Sequence, residues 1–293
     1  MSIFLDFDGT ITAKDTVGEL ANFALRVRAA EGQDLRRAWD DVVAAYVGDH
    51  RAHVAGYVPP AADRCLPAQE VEFLRRAKGV ETSSLARVGR SRLFRGIGAA
   101  AFREAGRALV ADGTVELRPG FRRFVRDRVE QGWRVWVLSV NWSAAFIEGA
   151  CGGGRGGLPG LEVVANEVRD DGSVAGPAVL NPPGATDGGG EGGEEPRNLT
   201  NSRDKLDAME AVLAAAGLAA QPSIYFGDST TDLECLLAVD RGFVVSDRED
   251  SSLLRTLRRI GKEVPHVRDQ TATSKLAWTS DYEDLPDDMF ALG

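Results

Sequence analysis

The chain has 293 residues, 43% of them hydrophobic, and carries 35 Lys and Arg against 44 Asp and Glu for a formal net charge of −9. That is enough apolar material for a substantial core, and the acidic balance argues against a nucleic-acid backbone as partner while leaving room for a small phosphorylated metabolite, which needs only a local positive site. No run is long enough for a membrane span, the first residues lack a basic and then apolar leader, and Cys65, Cys151 and Cys235 have no metal-ligand spacing, so no membrane partner is expected and the cytoplasm is the expected compartment.

Ile3 to Leu5 is a short apolar run bounded by turn residues, which predicts a strand buried on both faces of a parallel sheet. Asp6 stands where that strand ends, the place at which open α/β sheets put their ligands. Asp8 follows two residues later, and Gly9-Thr10 turns the chain and offers an amide and a hydroxyl to a ligand.

From Thr12 to Arg118 the apolar spacing is helical: Val17, Leu20, Ala21 and Ala24 share one face, Trp39, Val42, Val43, Tyr46 and Val47 another, and Val71 with Leu74 and Ile97 with Ala101 suggest more. A connection this long between two strands of one sheet predicts an inserted helical subdomain, spanning 14–118, that follows a candidate nucleophile as a lid would. Its arginines, Arg87, Arg90, Arg92, Arg95, Arg103 and Arg107, read as a solvated face of mixed charge, and His50 and His53 as surface residues without a third ligand.

After Arg118-Pro119-Gly120 comes an amphipathic helix through Val129, then a second buried strand, Val135 to Leu138, ending at Ser139. A short helix precedes the Gly-rich stretch 152–157, Leu161 to Ala165 is a strand, and Asp170-Asp171-Gly172 a hairpin turn. The segment 181–197 is Pro, Gly and Glu with almost nothing to bury, and is expected to be a flexible loop. A helix capped by Asn201 or Ser202 places Lys205 in its first turn, where the dipole disfavours a cation unless an anion is near. Ser223 to Phe226 is a third strand leading to Gly227-Asp228, and Asp232 falls in the first turn of the next helix. The tail from Lys262 is expected to pack on the outside and carry no chemistry.

Three buried strands thus end at Asp6, Ser139 and Asp228, with Lys205 at a helix start. Gathered at one sheet edge, Asp6, Asp8, Asp228 and Asp232 would need a cation, and an all-oxygen donor set points to Mg2+ where a phosphate completes the shell. Ser139 and Lys205 supply a donor hydroxyl and a positive charge for phosphoryl oxygens.

The order Asp6-x-Asp8-Gly-Thr, a strand-end Ser139, Lys205, then Gly227-Asp228-x-x-x-Asp232 resembles the four motifs of the haloacid dehalogenase (HAD) superfamily, and within it the phosphoserine-phosphatase-like branch with a helical cap between the first two motifs. The resemblance implies a Rossmann-like parallel α/β core over 1–13 and 119–293, with Asp6 as nucleophile and Asp8 as acid and base. It further implies magnesium on the Asp6 carboxylate, the Asp8 carbonyl and Asp228, with Asp232 in or just behind that shell, and Ser139 and Lys205 on the phosphoryl group. An Asp at position 8 implies a phosphatase or phosphomutase, since the dehalogenases lack that acid and the transport ATPases carry Thr there. Two positions depart from the branch: Val140-Asn141-Trp142 replaces the glycines after the second-motif Ser, and Thr231 replaces the Asn before the last Asp. Substrate contacts are expected from Gly9, Thr10, Asp15, Asn141 and Thr231. The expected activity is Mg-dependent hydrolysis of a small phosphate monoester. A non-catalytic phosphometabolite-binding regulator and a phosphotransferase or mutase are the alternatives, and either a monomer or a homodimer is compatible with the sequence.

Overall fold

The computed structural model describes residues 1–152, 158–182, 196–269 and 274–290. Strand β1 (Ser2–Leu5) is followed by helices α1 (Val17–Ala30), α2 (Arg36–Gly56), α3 (Pro67–Arg76), α4 (Lys78–Ser91), α5 (Ala99–Ala111) and α6 (Phe121–Glu130). Then come β2 (Arg134–Leu138), α7 (Ala144–Cys151), β3 (Leu161–Val164), the hairpin β4 (Glu167–Val168) and β5 (Val174–Ala175), α8 (Ser202–Ala215), β6 (Ser223–Gly227), α9 (Leu233–Ala238), β7 (Arg241–Val245), α10 (Ser252–Arg259) and β8 (Leu276–Thr279). Among the described residues no helix is long and apolar enough to cross a membrane.

Six strands form one parallel sheet in the order β3-β2-β1-β6-β7-β8, which puts β1 next to the middle, with β2 on one side and β6 on the other. This is the α/β, Rossmann-like arrangement expected of the HAD fold. Alternate strand residues feed two cores, as a sheet covered on both faces requires. Ile3, Leu5, Val135, Val137, Ile224 and Phe226 pack with α6, α7 and residues of α1 and α5, whereas Phe4, Trp136, Leu138 and Tyr225 pack with α8, α9 and α10. Each fully buried aromatic ring contributes about 1.5–3 kcal/mol of burial energy.

Between β1 and β2, α5 lies directly on α7: a Cβ added at Gly149 would stand 2.0 Å from the Arg103 carbonyl oxygen, so only glycine permits this approach. Ion pairs join α3 and α4 to the helices behind the sheet: Arg75 with Glu234 (2.6 Å), Lys78 with Asp204 (2.6 Å) and Glu70 with Arg259 (2.9 Å). Ile97 precedes α5 and does not belong to it.

The expected loop 181–197 lies mostly outside the described residues, as does the Gly-rich stretch after Gly152. At its base, Asn181 Nδ2 donates to the Arg197 carbonyl (2.9 Å) and the Arg197 N–H donates back to Asn181 Oδ1 (2.8 Å), which clasps the two ends together. The tail differs from its expected place on the outside. Strand β8 pairs with β7 and extends the sheet, and Tyr282 and Phe290 are buried in the core against Phe124. Strand β8 is four residues long and held by partners outside its own sequence, β7 on one side and Pro265 O on the other through the Trp278 N–H (2.9 Å), which is why its own residues announce it weakly.

Candidate active site

The register of the three central strands sets the site. Leu5 pairs with Val137 on one side and Phe226 on the other, so Asp6 stands level with Leu138 and Gly227, and Ser139 and Asp228 stand one residue further out. The Asp6 N–H donates to Phe226 O (2.9 Å) and the Ser139 N–H to Val164 O (3.0 Å), which carries the ladder one step past the strands and fixes both backbones.

Lys205 Nζ is wholly buried, 2.7 Å from Asp6 Oδ1 and 2.6 Å from Asp232 Oδ1. The contact with Asp232 is a hydrogen bond, whereas Asp6 Oδ1 has no hydrogen-bond partner of acceptable angle and is held as an ion pair. Burial acts against the lysine charge, but Asp232 and Asp6 outweigh it and hold its pKa above the ordinary value. This explains a cation in the first turn of α8, whose N-terminus is capped by Asn201 Oδ1 accepting from the Asp204 N–H (3.0 Å).

Asp232 has little left to offer a ligand. Its Oδ1 accepts from Lys205 and from the Tyr225 hydroxyl (2.7 Å), and its Oδ2 accepts from the N–H groups of Asp228 (3.1 Å) and Ser229 (3.0 Å). Asp228 Oδ1 accepts from the Thr10 hydroxyl (3.2 Å). Burial first, then the charge of Asp232, raises the Asp6 carboxyl well above its ordinary value and pushes Asp228 up to about 7.

Carboxylate oxygens of Asp6, Asp228 and Asp232 lie within 4.8 Å of one another. Three acids facing one lysine leave uncompensated negative charge, and the upward shifts at Asp6 and Asp228 register it. Hard oxygen donors with that deficit fit a magnesium ion, with Asp6 and Asp228 as the available ligands and Asp232 behind them, orienting the Asp228 backbone.

Asp8 is turned to another side. Its Oδ1 accepts from the Thr16 N–H (2.7 Å) and hydroxyl (2.6 Å), and its Oδ2 from Asn141 Nδ2 (2.8 Å). Burial, followed by the charge of Asp15, pushes its carboxyl up to about 6, against the lowering effect of those bonds. Asn141 is itself built in: its N–H donates to Ser139 Oγ (3.1 Å), and Asn166 Nδ2 donates to the carbonyls of Val140, Asn141 and Leu199.

The turn after β1 is shaped by Gly9, whose φ is +76° and whose missing Cβ would stand 2.3 Å from Asp228 Oδ2. Arg118 Nε and Nη2 donate to the Gly9 carbonyl (3.1 and 3.0 Å), while its Nη1 reaches Asp247 (2.6 Å) and the Ser280 carbonyl (2.8 Å). The Tyr282 hydroxyl donates to the Thr10 carbonyl (3.3 Å).

Of the expected substrate contacts, several are engaged by the protein itself. The Thr10 hydroxyl goes to Asp228, the Gly9 N–H to Thr12 Oγ1 (3.2 Å), and Thr231 Oγ1 pairs with Ser229 Oγ (2.9 Å). Asn141 serves Asp8. Asp15 alone of that group lies at an opening, on the wall of a cavity of about 410 Å³ formed by α1, α2, α4 and the turn after β2. Sequence reasoning missed Thr16, Tyr225, Arg118 and Asn166. Only their neighbours carried a motif, and the groups they bond lie elsewhere in the chain.

The haloacid dehalogenase-like hydrolase family matches residues 3–237. A plant protein, the bifunctional TH2 protein, mitochondrial, of Arabidopsis thaliana, is 24% identical over 278 residues covering 88% of this chain, which spans only 40% of that protein's length. Among solved structures, cytosolic 5'-nucleotidase IIIB bound to cytidine aligns with 99% of this chain and 83% of its own at 14% identity and a TM-score of 0.52. A phosphoserine phosphatase with a phospho-aspartyl intermediate analogue aligns with 89% of this chain and 90% of its own at 14% identity and a TM-score of 0.46. With four-fifths of its length matched and its carboxylates at the ends of the central strands, the chain belongs to the haloacid dehalogenase-like hydrolase family.

Proposed function

We propose that the protein is a magnesium-dependent phosphatase that hydrolyses a small phosphate monoester through an aspartyl phosphate on Asp6. The observation that carries this reading is the division between two acids two residues apart: Asp6 faces Lys205 and the other carboxylates, while Asp8 is held by Thr16 and Asn141 at the cavity side.

In the first half-reaction an Asp6 carboxylate oxygen attacks phosphorus, the bond from phosphorus to the ester oxygen breaks, and Asp8 gives its proton to the departing alkoxide. In the second, Asp8 takes a proton from water as the water oxygen bonds to phosphorus, and the phosphoryl group leaves Asp6 as inorganic phosphate. Lys205 Nζ and the Ser139 hydroxyl hold the non-bridging oxygens; Ser139 Oγ already accepts from the Asn141 N–H, which leaves its own O–H to donate. Held by Asp6, Asp228 and the Asp8 carbonyl, magnesium would offset the charge of the carboxylates and of the phosphoryl group. The helices of 14–118 act as the cap that closes over the substrate, and the buried free thiols of Cys151 and Cys235 suit a cytosolic enzyme.

The test is phosphate release from a panel of small phosphate esters with and without magnesium, beside Asp6→Asn. Magnesium-dependent release that the variant loses while keeping its fold is the expected result. An Asp6→Asn protein with normal turnover would overturn the reading.

A further inference from the structure

The cavity beside Asp8 says what kind of alcohol leaves. It lies beside the acid: Asp15 and Val17, which flank Thr16, and Val140 and Trp142, which flank Asn141, form part of its wall, and the charge of Asp15 acts on Asp8. A phosphate monoester held for attack by Asp6 would therefore place its ester oxygen toward Asp8 and its organic part toward this space.

The wall has two kinds of group. Trp39, Tyr46 and Trp142 present aromatic surface, with the two indoles set edge to face at 6.0 Å between centroids. Asp15 and Glu81 present carboxylates, and no lysine, arginine or histidine is among the described residues lining it. Neither Asp15 nor Glu81 forms an ion pair among the described residues, whereas Asp49, on the same helix as Trp39 and Tyr46, is matched by Arg87. Glu81 accepts a hydrogen bond from the Tyr46 hydroxyl (3.0 Å), and its partial burial raises its carboxyl above the ordinary value.

Resting on the phosphatase reading above, we infer that the leaving group is an organic cation with an apolar, ring-bearing body, its positive charge seated between the Trp39, Tyr46 and Trp142 rings and the Asp15 and Glu81 carboxylates. Aromatic faces attract cations through the ring quadrupole, and the two carboxylates add a direct attraction of opposite charge. A cavity of about 410 Å³ has room for a ring system and not merely for a short amino acid side chain. The same wall repels anionic esters, so sugar bisphosphates and nucleoside polyphosphates are excluded by charge.

The test compares a matched pair: the phosphate esters of N-(2-hydroxyethyl)pyridinium and of 2-phenylethanol, which share size and shape and differ by one charge. The cationic ester is expected to show a kcat/KM at least about tenfold higher, and Glu81→Gln and Asp15→Asn are each expected to narrow that ratio. Equal kcat/KM values, or a ratio unmoved by both variants, would overturn the inference while leaving the phosphatase reading intact. The two alcohols themselves, titrated calorimetrically into the wild-type protein, read the preference without chemistry. Tighter binding of N-(2-hydroxyethyl)pyridinium, weakened by Glu81→Gln, supports the cation site even if no ester is turned over, and equal or undetectable binding of both alcohols counts against it.

Discussion

Asn141 Nδ2 lies 2.8 Å from Asp8 Oδ2, and these residues stand 133 positions apart in the chain. The amide can only donate here, so it fixes one carboxylate oxygen in place and leaves the acid's orientation independent of bound substrate. Replacing it with Ala frees that oxygen. Because a positioned acid or base contributes about 10²–10⁴-fold, Asn141→Ala should lower kcat by about ten- to a hundredfold with KM little changed. Steady-state phosphate release measures the split, and a KM effect without a kcat effect would show Asn141 acting on substrate instead.

Lys205 is the counter-charge on which two buried acids depend. Removing one partner of a buried ion pair costs about 3–5 kcal/mol because the other charge is stranded. Lys205→Met should therefore abolish turnover and destabilise the protein, and adding Asp232→Asn should recover part of the stability but none of the activity. Thermal melts of the two variants and of the single Asp232→Asn complete a double-mutant cycle that reads the coupling directly.

Magnesium should stabilise the fold as well as serve the reaction. Without metal, Asp6 and Asp228 have folded-state pKa values above their unfolded ones, so the native state holds more protons and its stability falls as pH rises from about 4 toward 7. A cation binding the ionised pair competes with those protons. Differential scanning of chelator-treated protein should show a melting temperature raised by millimolar magnesium at pH 8 and raised less at pH 5.5. Equal increments at the two pH values would mean that the ion binds elsewhere.

Gly9 combines a φ of +76° with an approach to Asp228 that a methyl group would obstruct at 2.3 Å. Gly9→Ala should cost about 1–3 kcal/mol from the backbone alone, and it should push the Asp228 carboxylate out of place. The expected result is a lower melting temperature together with weaker magnesium activation. Loss of stability with an unchanged magnesium requirement would separate the turn from the metal site.

Much of the site was legible because its acids sit where short apolar runs stop. Asp6, Ser139 and Asp228 each follow a strand that periodicity and turn residues mark out, and Lys205 in the first turn of α8 signalled a nearby anion, found as Asp6 and Asp232. The supporting groups left no such trace. Arg118 reads as an ordinary arginine before a Pro-Gly turn, yet it is buried and bonded to Gly9, 109 positions earlier. Tyr225 reads as one more strand aromatic, but its hydroxyl is spent on Asp232. Asn166 reads as loop, yet its amide ties three carbonyls together. In each case the meaning lies in a partner brought close only by the fold, and the sequence holds no local pattern for it. The tail was misplaced for a related reason: Leu276 to Thr279 is too short to declare itself without β7 beside it.

The bond from the Tyr282 hydroxyl to the Thr10 carbonyl spans 272 positions. Translation releases Thr10 272 positions before Tyr282, so the turn that carries the two acids is made well before its brace. Asp228, just past the end of β6, follows Thr10 by 218 positions. The candidate site is thus assembled from distant parts of the chain, and a nascent protein arrested before β8 would display its first strand to chaperones without the brace on its turn.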